Sequence, residues 1–100
     1  MGSIKVESVH FTADQKLVDF INERVNKLNT FFDHIVSADV ILKVDKKESP
    51  DNKIVEIKML VPGKDLFVKK HADSFEGATD EAVEALRRQI KKYKEKSQEA

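Results

Sequence analysis

The chain has 100 residues, of which 40% are hydrophobic and 36% charged, and its 18 basic residues balance its 18 acidic ones. This composition predicts one self-folding domain and excludes intrinsic disorder, and the zero net charge excludes a uniform field that would attract nucleic acid or membrane. The lack of cysteine excludes disulfides and thiolate sites, and no apolar run reaches the roughly 20 residues of a membrane span, so we expect a cytoplasmic protein.

The first predicted elements are a short strand and an amphipathic helix. Residues 4–9 alternate apolar and polar side chains, which is typical of a strand. Thr12, with Gln15 three residues later, has the pattern of a capping box, so we predict that a helix begins there and ends near Thr30. Spacings of three and four predict a stripe that faces the core, formed by Leu17, Phe20, Ile21, Val25, Leu28 and Phe31.

Three further strands and a second helix follow. Alternation around Val40 to Val44 and over residues 54–61 predicts two strands joined by a polar loop at residues 45–53. Pro62-Gly63 is typical of a type II turn, which predicts that residues 66–70 return antiparallel. Asp73, followed by Glu76, predicts the start of the second helix, whose apolar stripe contains Phe75, Thr79, Ala82, Val83, Leu86, Ile90 and Tyr93.

The element order is therefore β-α-β-β-β-α. We predict an α+β fold, a two-layer sandwich in which a four-stranded sheet carries both helices on one face. The first two strands can run parallel through the helical crossover, whereas the later hairpins are antiparallel. We expect a single domain over residues 1–100, with residues 1–3 an expression remnant or disordered start and residues 97–100 a disordered tail.

Charge divides the second predicted helix. Its first half is acidic, and its second half carries bases over about two and a half turns. Complementing the helix dipole is one explanation, supported by the pair Glu84 and Arg88, but the dipole acts within the last turn alone. A surface that follows RNA phosphates is the other explanation, because the bases form two rows, Arg88, Lys92 and Lys96 in one and Arg87, Lys91 and Lys94 in the other.

Arg24 interrupts the apolar stripe of the first predicted helix, between the directions of Phe20 and Leu28. Its stem can reach the edge of the core and place the guanidinium beside an acid. Alternatively, Arg24 and Lys27 extend the basic surface if the two helices pack side by side.

Little in the sequence indicates catalysis. His10, His34 and His71 lie in unrelated segments, and there is no metal-binding histidine pair, phosphate loop or serine elbow. We therefore expect a non-enzymatic protein with no cofactor, no metal and no small-molecule substrate. Gly77 lies inside the second predicted helix, where glycine costs about 1 kcal/mol relative to alanine, and no pattern in the sequence explains it.

Three segments, in this order and spacing, resemble the short form of the ribosome hibernation promoting factor and ribosome-associated inhibitor family. They are residues 20–28 (FINERVNKL) with Phe32-Asp33, residues 40–44 (VILKV) and residues 86–94 (LRRQIKKYK), and the resemblance extends from about Ile4 to Lys96. It implies a fold like that of double-stranded RNA-binding domains. It also implies binding to the small ribosomal subunit between head and body, in the path of mRNA and tRNA, which inhibits translation in stationary phase or stress.

In this family basic residues of both helices face ribosomal RNA. The resemblance implies that role for Arg24, Lys27, Arg88 and Lys92 first, and then for Arg87, Lys91 and Lys94. One departure is Glu76, which stands where the family often has an aromatic residue. The chain stops after the second helix, so we expect no dimerisation domain of the long forms, and a monomer off the ribosome.

Two other functions remain open at this point. One is a regulatory protein-binding module that acts on a transcription factor or another protein partner through its mixed-charge helices. The other is a small hydrolase of ferredoxin-like architecture, which the lack of a phosphate loop or a convergent polar triad disfavours.

Overall fold

The computed structural model describes residues 2–46 and 50–98, with side chains up to Lys96. Its elements follow the predicted order, except that the first helix is interrupted at Lys27 and continues as a single turn. They are β1 Ser3–Ser8, α1 Gln15–Asn26, α2 Leu28–Phe31, β2 Ser37–Val44, β3 Lys53–Val61, β4 Lys64–Ala72 and α3 Phe75–Gln98.

The four strands form one sheet in the order β1-β2-β3-β4. β1 is parallel to β2, and the two following pairs are antiparallel, which confirms the predicted α+β topology. Residues in register share a face, so Val40, Ile57 and Val68 form one buried row across the sheet. The helices cover this face. The core between helices and sheet also contains Ile21, Val25, Leu28, Leu86 and Ile90 from the helices and Leu42, Val55 and Met59 from the sheet.

The turn between β3 and β4 has the predicted form. Proline fixes its own φ near −65°, and Gly63 adopts a φ of 78°, as the third position of a type II turn requires. Val61 pairs with Lys64 across the turn, so the hairpin has the two-residue loop that the sequence indicates.

Both helix starts differ from the prediction by one or two residues. The carboxylate of Asp14, not the Thr12 hydroxyl, caps α1 by accepting a hydrogen bond of 2.8 Å from the Leu17 amide. The reason is that the chain leaves β1 through a bend in which His10 takes a left-handed φ of 66°, so Thr12 still belongs to the connection. At α3, Ser74 and not Asp73 is the cap, because its hydroxyl accepts from the Gly77 amide at 3.0 Å.

The ends of the chain are more regular than predicted. Ser3 belongs to β1, and α3 continues through Gln98, so these described residues of the predicted start and tail contribute to a strand and a helix. Residues 1, 99 and 100 lie outside the described residues, as do residues 47–49 of the predicted β2–β3 loop.

The first helix, α1 with α2, runs parallel to α3, so the C-terminal ends of the two lie at the same end of the sheet. At one end of the sheet Phe11, just before α1, stacks on Phe75 at the start of α3, with ring centroids 5.2 Å apart. At the other end the Tyr93 hydroxyl donates a 2.6 Å hydrogen bond to the Pro62 carbonyl in the β3–β4 turn. The C-terminal ends of α2 and α3 therefore meet beside that turn.

Candidate nucleic-acid interface

The basic surface is the C-terminal half of α3 together with the end of α2. Its first row faces α2, where the Phe31 ring has the Lys94 ammonium 4.7 Å and the Arg87 guanidinium 5.5 Å from its centroid. Lys94 also donates to the Phe31 carbonyl at 3.2 Å. That carbonyl ends a helix and attracts a cation, so Lys94 is held by the protein itself. Lys91, between these two residues in the row, is exposed.

The second row points away from α2. Lys92 and Lys96 line a shallow cleft of about 440 Å³ that also includes Lys64 at the start of β4. Within the described part of the chain no ion pair involves these three lysines or Lys91. They are therefore the cations that a phosphate backbone can reach without first breaking an internal contact.

Glu84 marks the boundary of the basic surface. One of its carboxylate oxygens lies 3.9 Å from Arg87 and the other lies 3.9 Å from Arg88, and all three side chains are more than half exposed. Such exposed pairs contribute little stability, so both guanidiniums can exchange Glu84 for a phosphate. Towards the start of α3 the surface turns acidic, with Asp73, Glu76, Asp80 and Glu81. We expect phosphate contacts to stop near Glu84.

Arg24 is on α1, and its half-buried side chain contacts other residues of the protein, including one on α3. Its guanidinium lies 4.7 Å from the Phe20 ring centroid, and Nε lies 3.5 Å from Asp80 Oδ1. This distance is that of an ion pair, but Nε is buried and makes no hydrogen bond to a described residue, so the attraction is one of charge alone. The structure thus has the internal acid partner that the sequence offered as the alternative to RNA contact.

Lys27 lies at the break between α1 and α2. Its ammonium is 3.8 Å from Glu23 Oε1, and the side chain is 59% exposed. Its carbonyl accepts from the Thr30 hydroxyl at 2.7 Å, which fixes the single turn of α2. Lys27 is therefore exposed on the same side of the protein as Phe31, which lies one helical turn later in the chain. For Arg24, Lys27 and the five residues of α3, contact with RNA stays a prediction.

The sequence did not indicate two parts of this surface. Phe31 was assigned to the core stripe, but it is half-buried and lies beneath two cations. Lys64 was missed, although the short β4–α3 connection was a usable signal. A helix that turns straight back along β4 must bring its end near the start of that strand, so Lys64 and the lysines of α3 have to meet.

The three histidines are separate in the structure, as the sequence predicted. His10 is in the bend after β1, His34 is in the connection to β2, and His71 is on the outer face of β4. Among the described residues, no three histidine or acidic side chains converge to hold a metal ion. Likewise, no helix in residues 2–46 and 50–98 is long and apolar enough to cross a membrane.

Comparison with known proteins gives consistent matches over nearly the whole chain. The family model described as sigma 54 modulation protein / S30EA ribosomal protein matches residues 4–98. A ribosome hibernation promoting factor of Pseudomonas putida is 30% identical over 95 residues, which are 95% of this chain and 89% of the relative. A ribosome hibernation promotion factor of Bacillus subtilis is also 30% identical, over 94% of this chain but 48% of the longer relative.

Solved structures share the fold. A ribosomal subunit interface protein from Coxiella burnetii matches with a TM-score of 0.83 at 20% identity, over 92% of this chain and 97% of the other. The N-terminal domain of Protein Y from Thermus thermophilus matches with a TM-score of 0.79 at 22% identity, over 93% and 99% of the two chains.

Proposed function

This chain belongs to the family of sigma 54 modulation proteins and S30EA ribosomal proteins, and we propose from this that it is a ribosome hibernation factor. It binds the small ribosomal subunit in the channel for mRNA and tRNA and inhibits translation in stationary phase or stress. The names of its relatives from Pseudomonas putida and Bacillus subtilis support the hibernation function. Its place of action is the cytoplasm, where the ribosomes are.

The observation that carries the proposal is the row of accessible cations at the end of α3. Lys92, Lys96 and the adjacent Lys64 have no partner among the described residues, and Arg88 has an exposed, exchangeable one. Residues 87–96 hold six of the chain's 18 basic residues and a single acid, so this end of α3 attracts an anionic partner despite the zero net charge. Ribosomal RNA presents such a partner as continuous rows of phosphates.

Inhibition on this proposal is steric and needs no chemical step. The basic surface neutralises phosphates and fixes the orientation of the domain, and the body of the sandwich occupies the volume that mRNA and tRNA need. Binding through phosphates releases counterions, so affinity falls steeply with salt. If about six phosphates are contacted, affinity falls on the order of 10³-fold between low and moderate salt.

The test is co-sedimentation of the purified protein with ribosomes over a range of salt concentrations, combined with in vitro translation. The double variant Arg88→Glu with Lys92→Glu is expected to leave the ribosome pellet and to lose inhibition. Lys69→Glu is the control for each single variant, Arg88→Glu and Lys92→Glu, since all three reverse one charge. Val68 beside it is buried under the helices, so Lys69 points from the opposite face of the sheet. Binding that ignores salt, or a double variant that inhibits as the wild type does, would defeat the proposal.

A second candidate has one observation in its favour. The description of the family includes sigma 54 modulation, which agrees with a module that binds a transcription factor. The acidic first half of α3 could then contact a basic protein surface. Retention of the purified protein on an RNA polymerase sigma subunit, together with its absence from ribosomal pellets, would favour this function over the first.

A further inference from the structure

A second cleft lies beside the basic surface, and the function proposed above does not use it. It measures about 690 Å³, within the usual size of a small-ligand site. It opens between the end of α2, the β3–β4 turn and the last turns of α3. Half of its lining residues are aromatic and most of the others are polar: Thr30, Phe31, Phe32, Asp33, His34, Pro62, Tyr93 and Lys94.

Two aromatic walls of this cleft, Phe32 and Tyr93, are held in position by packing and by a hydrogen bond. The rings of Phe32 and Tyr93 meet edge to face, with centroids 5.6 Å apart and planes at 78°. His34 meets Phe32 at 5.4 Å and 71°. Phe32 is only 8% exposed, and the hydroxyl of Tyr93 is tied to the Pro62 carbonyl at 2.6 Å. A flat ligand would therefore meet two rings, Phe32 and Tyr93, that need little ordering on binding, which favours stacking.

Cations border one side of the cleft and an acid the other. Lys94 lies on the rim near Phe31, and on the far side of Tyr93 begins the cleft of Lys64, Lys92 and Lys96. Asp33, 80% exposed, lies on the opposite rim with its carboxylate 3.4 Å from His34 Nε2. An anion is attracted to the α3 side and repelled from the Asp33 side. This asymmetry orients a ligand that has one flat apolar part and one charged part.

We infer that the cleft formed by Phe32, His34, Pro62 and Tyr93 takes one unpaired base of RNA, while the flanking phosphates lie on Lys94 and on the lysines beyond Tyr93. The base must be unpaired, because a base within a duplex has both faces stacked and cannot enter an aromatic cleft. Grooves that combine aromatic rings with a cationic track are the usual means of binding single strands. The inference rests on the proposed function in taking RNA as the partner, and it adds single-stranded character and a base-stacking site.

The experiment compares three fluorescently labelled RNAs by anisotropy: hexaadenylate, an abasic hexamer with the same sugar-phosphate backbone, and a 12-base-pair duplex. Wild-type protein is expected to bind hexaadenylate about tenfold more tightly than the abasic hexamer, within the range that stacking on one aromatic ring supplies. The same ratio is expected to approach one in His34→Ala and in Tyr93→Leu. His34 is 70% exposed, so its replacement leaves the core intact if Tyr93→Leu should fail to fold.

The protein contains a built-in reporter of the cleft. Tyr93 is the single tyrosine and there is no tryptophan, so tyrosine emission comes from this site alone. Hexaadenylate is expected to quench it, and neither the abasic hexamer nor the duplex is, because the bases of a duplex stay stacked on each other. Equal affinity for the two hexamers, or unchanged emission with both, overturns the inference.

Ribosome co-sedimentation separates this inference from the proposed function. If wild-type protein pellets with ribosomes but binds the two hexamers equally, the proposed function is supported and the stacking site is refuted. If it binds hexaadenylate more tightly than the abasic hexamer but does not pellet with ribosomes, the stacking site is supported and the proposed function is refuted.

Discussion

Nε of Arg24 lies 3.5 Å from Oδ1 of Asp80, and this contact joins α1 to the acidic first half of α3. The two side chains are 38% and 54% exposed, so solvent screens the pair and we expect it to contribute under about 1 kcal/mol to stability. The same contact holds a candidate RNA-binding cation against an acid. Its effects on stability and on RNA binding can therefore be separated.

Replacing either member of this pair should change ribosome binding in opposite directions. Asp80→Asn removes a negative charge and releases the guanidinium, so affinity for ribosomes should rise several-fold. Arg24→Gln removes the cation, so affinity should fall. Both changes break the ion pair, so both should lower the free energy of unfolding slightly, by under about 1 kcal/mol. Ribosome pelleting and urea denaturation measure the two effects, and equal ribosome affinity in both variants would restrict Arg24 to a structural role.

A second prediction concerns the hydrogen bond from Tyr93 to the Pro62 carbonyl, which fastens the basic end of α3 to the β3–β4 turn. Tyr93→Phe keeps the ring against Phe32 and removes this bond alone. The free energy of unfolding should fall by about 1 kcal/mol, the usual net contribution of one hydrogen bond. Urea denaturation checks this, with Phe67→Tyr as a control, which adds a hydroxyl to an exposed ring and should change stability little. An unchanged midpoint in Tyr93→Phe would mean that water replaces the bond without cost.

The sequence predicted the sheet and the helices because their signals are local or periodic. Alternation located β2 and β3, and Pro62-Gly63 located the turn between β3 and β4. The helix caps were placed one or two residues early, because Thr12 and Asp73 have a Gln or Glu three residues later, as a capping box requires, whereas the observed caps Asp14 and Ser74 do not. Which residue caps depends on how the preceding strand ends, and the bend at His10 has no sequence signature.

The sequence predicted where the charged residues of the candidate site lie, but not which residues they contact. The basic rows of α3 follow from helical spacing alone. That Arg24 faces Asp80, or that Phe31 lies under Arg87 and Lys94, depends on the packing of α1 and α2 against α3. Helical spacing gives the direction of a side chain about its own axis, but not the distance and rotation between two helices.

A third prediction concerns Thr79, which is fully buried in α3 and whose hydroxyl has no hydrogen-bond partner among the described residues. An unpaired buried hydroxyl costs about 1–3 kcal/mol, and valine has nearly the same shape. Thr79→Val should therefore raise the free energy of unfolding by roughly 1 kcal/mol, which for a domain of this size raises Tm by about 4–8 °C. Thr79→Ser is the matched control, because it keeps the hydroxyl and loses a methyl group, and it should be destabilising. A lower Tm in Thr79→Val would show that the hydroxyl is satisfied in solution.

The last prediction explains Gly77, for which the sequence offered no reason. Its amide donates to the Ser74 hydroxyl at 3.0 Å, and a Cβ at this position would lie 3.1 Å from the same oxygen and 3.6 Å from the Ala72 Cβ. Glycine therefore gives the cap room at the first turn of α3. The crowding is slight, because the Ser74 side chain can move by a few tenths of an ångström and still accept the bond. Gly77→Ala should thus gain part of the roughly 1 kcal/mol by which alanine favours a helix.

A double-mutant cycle measures how much of that gain in stability is lost because the added methyl group crowds the Ser74 cap. Ser74→Ala alone should lower the free energy of unfolding by about 1 kcal/mol, the usual cost of losing a serine cap. In the Ser74→Ala background the close oxygen is gone, so Gly77→Ala should there give its full gain of about 1 kcal/mol. The difference between the two gains, measured by urea denaturation, is the cost of crowding the cap. If Gly77→Ala gives the same gain in both backgrounds, the close approach to Ser74 costs nothing and glycine is not needed for the cap.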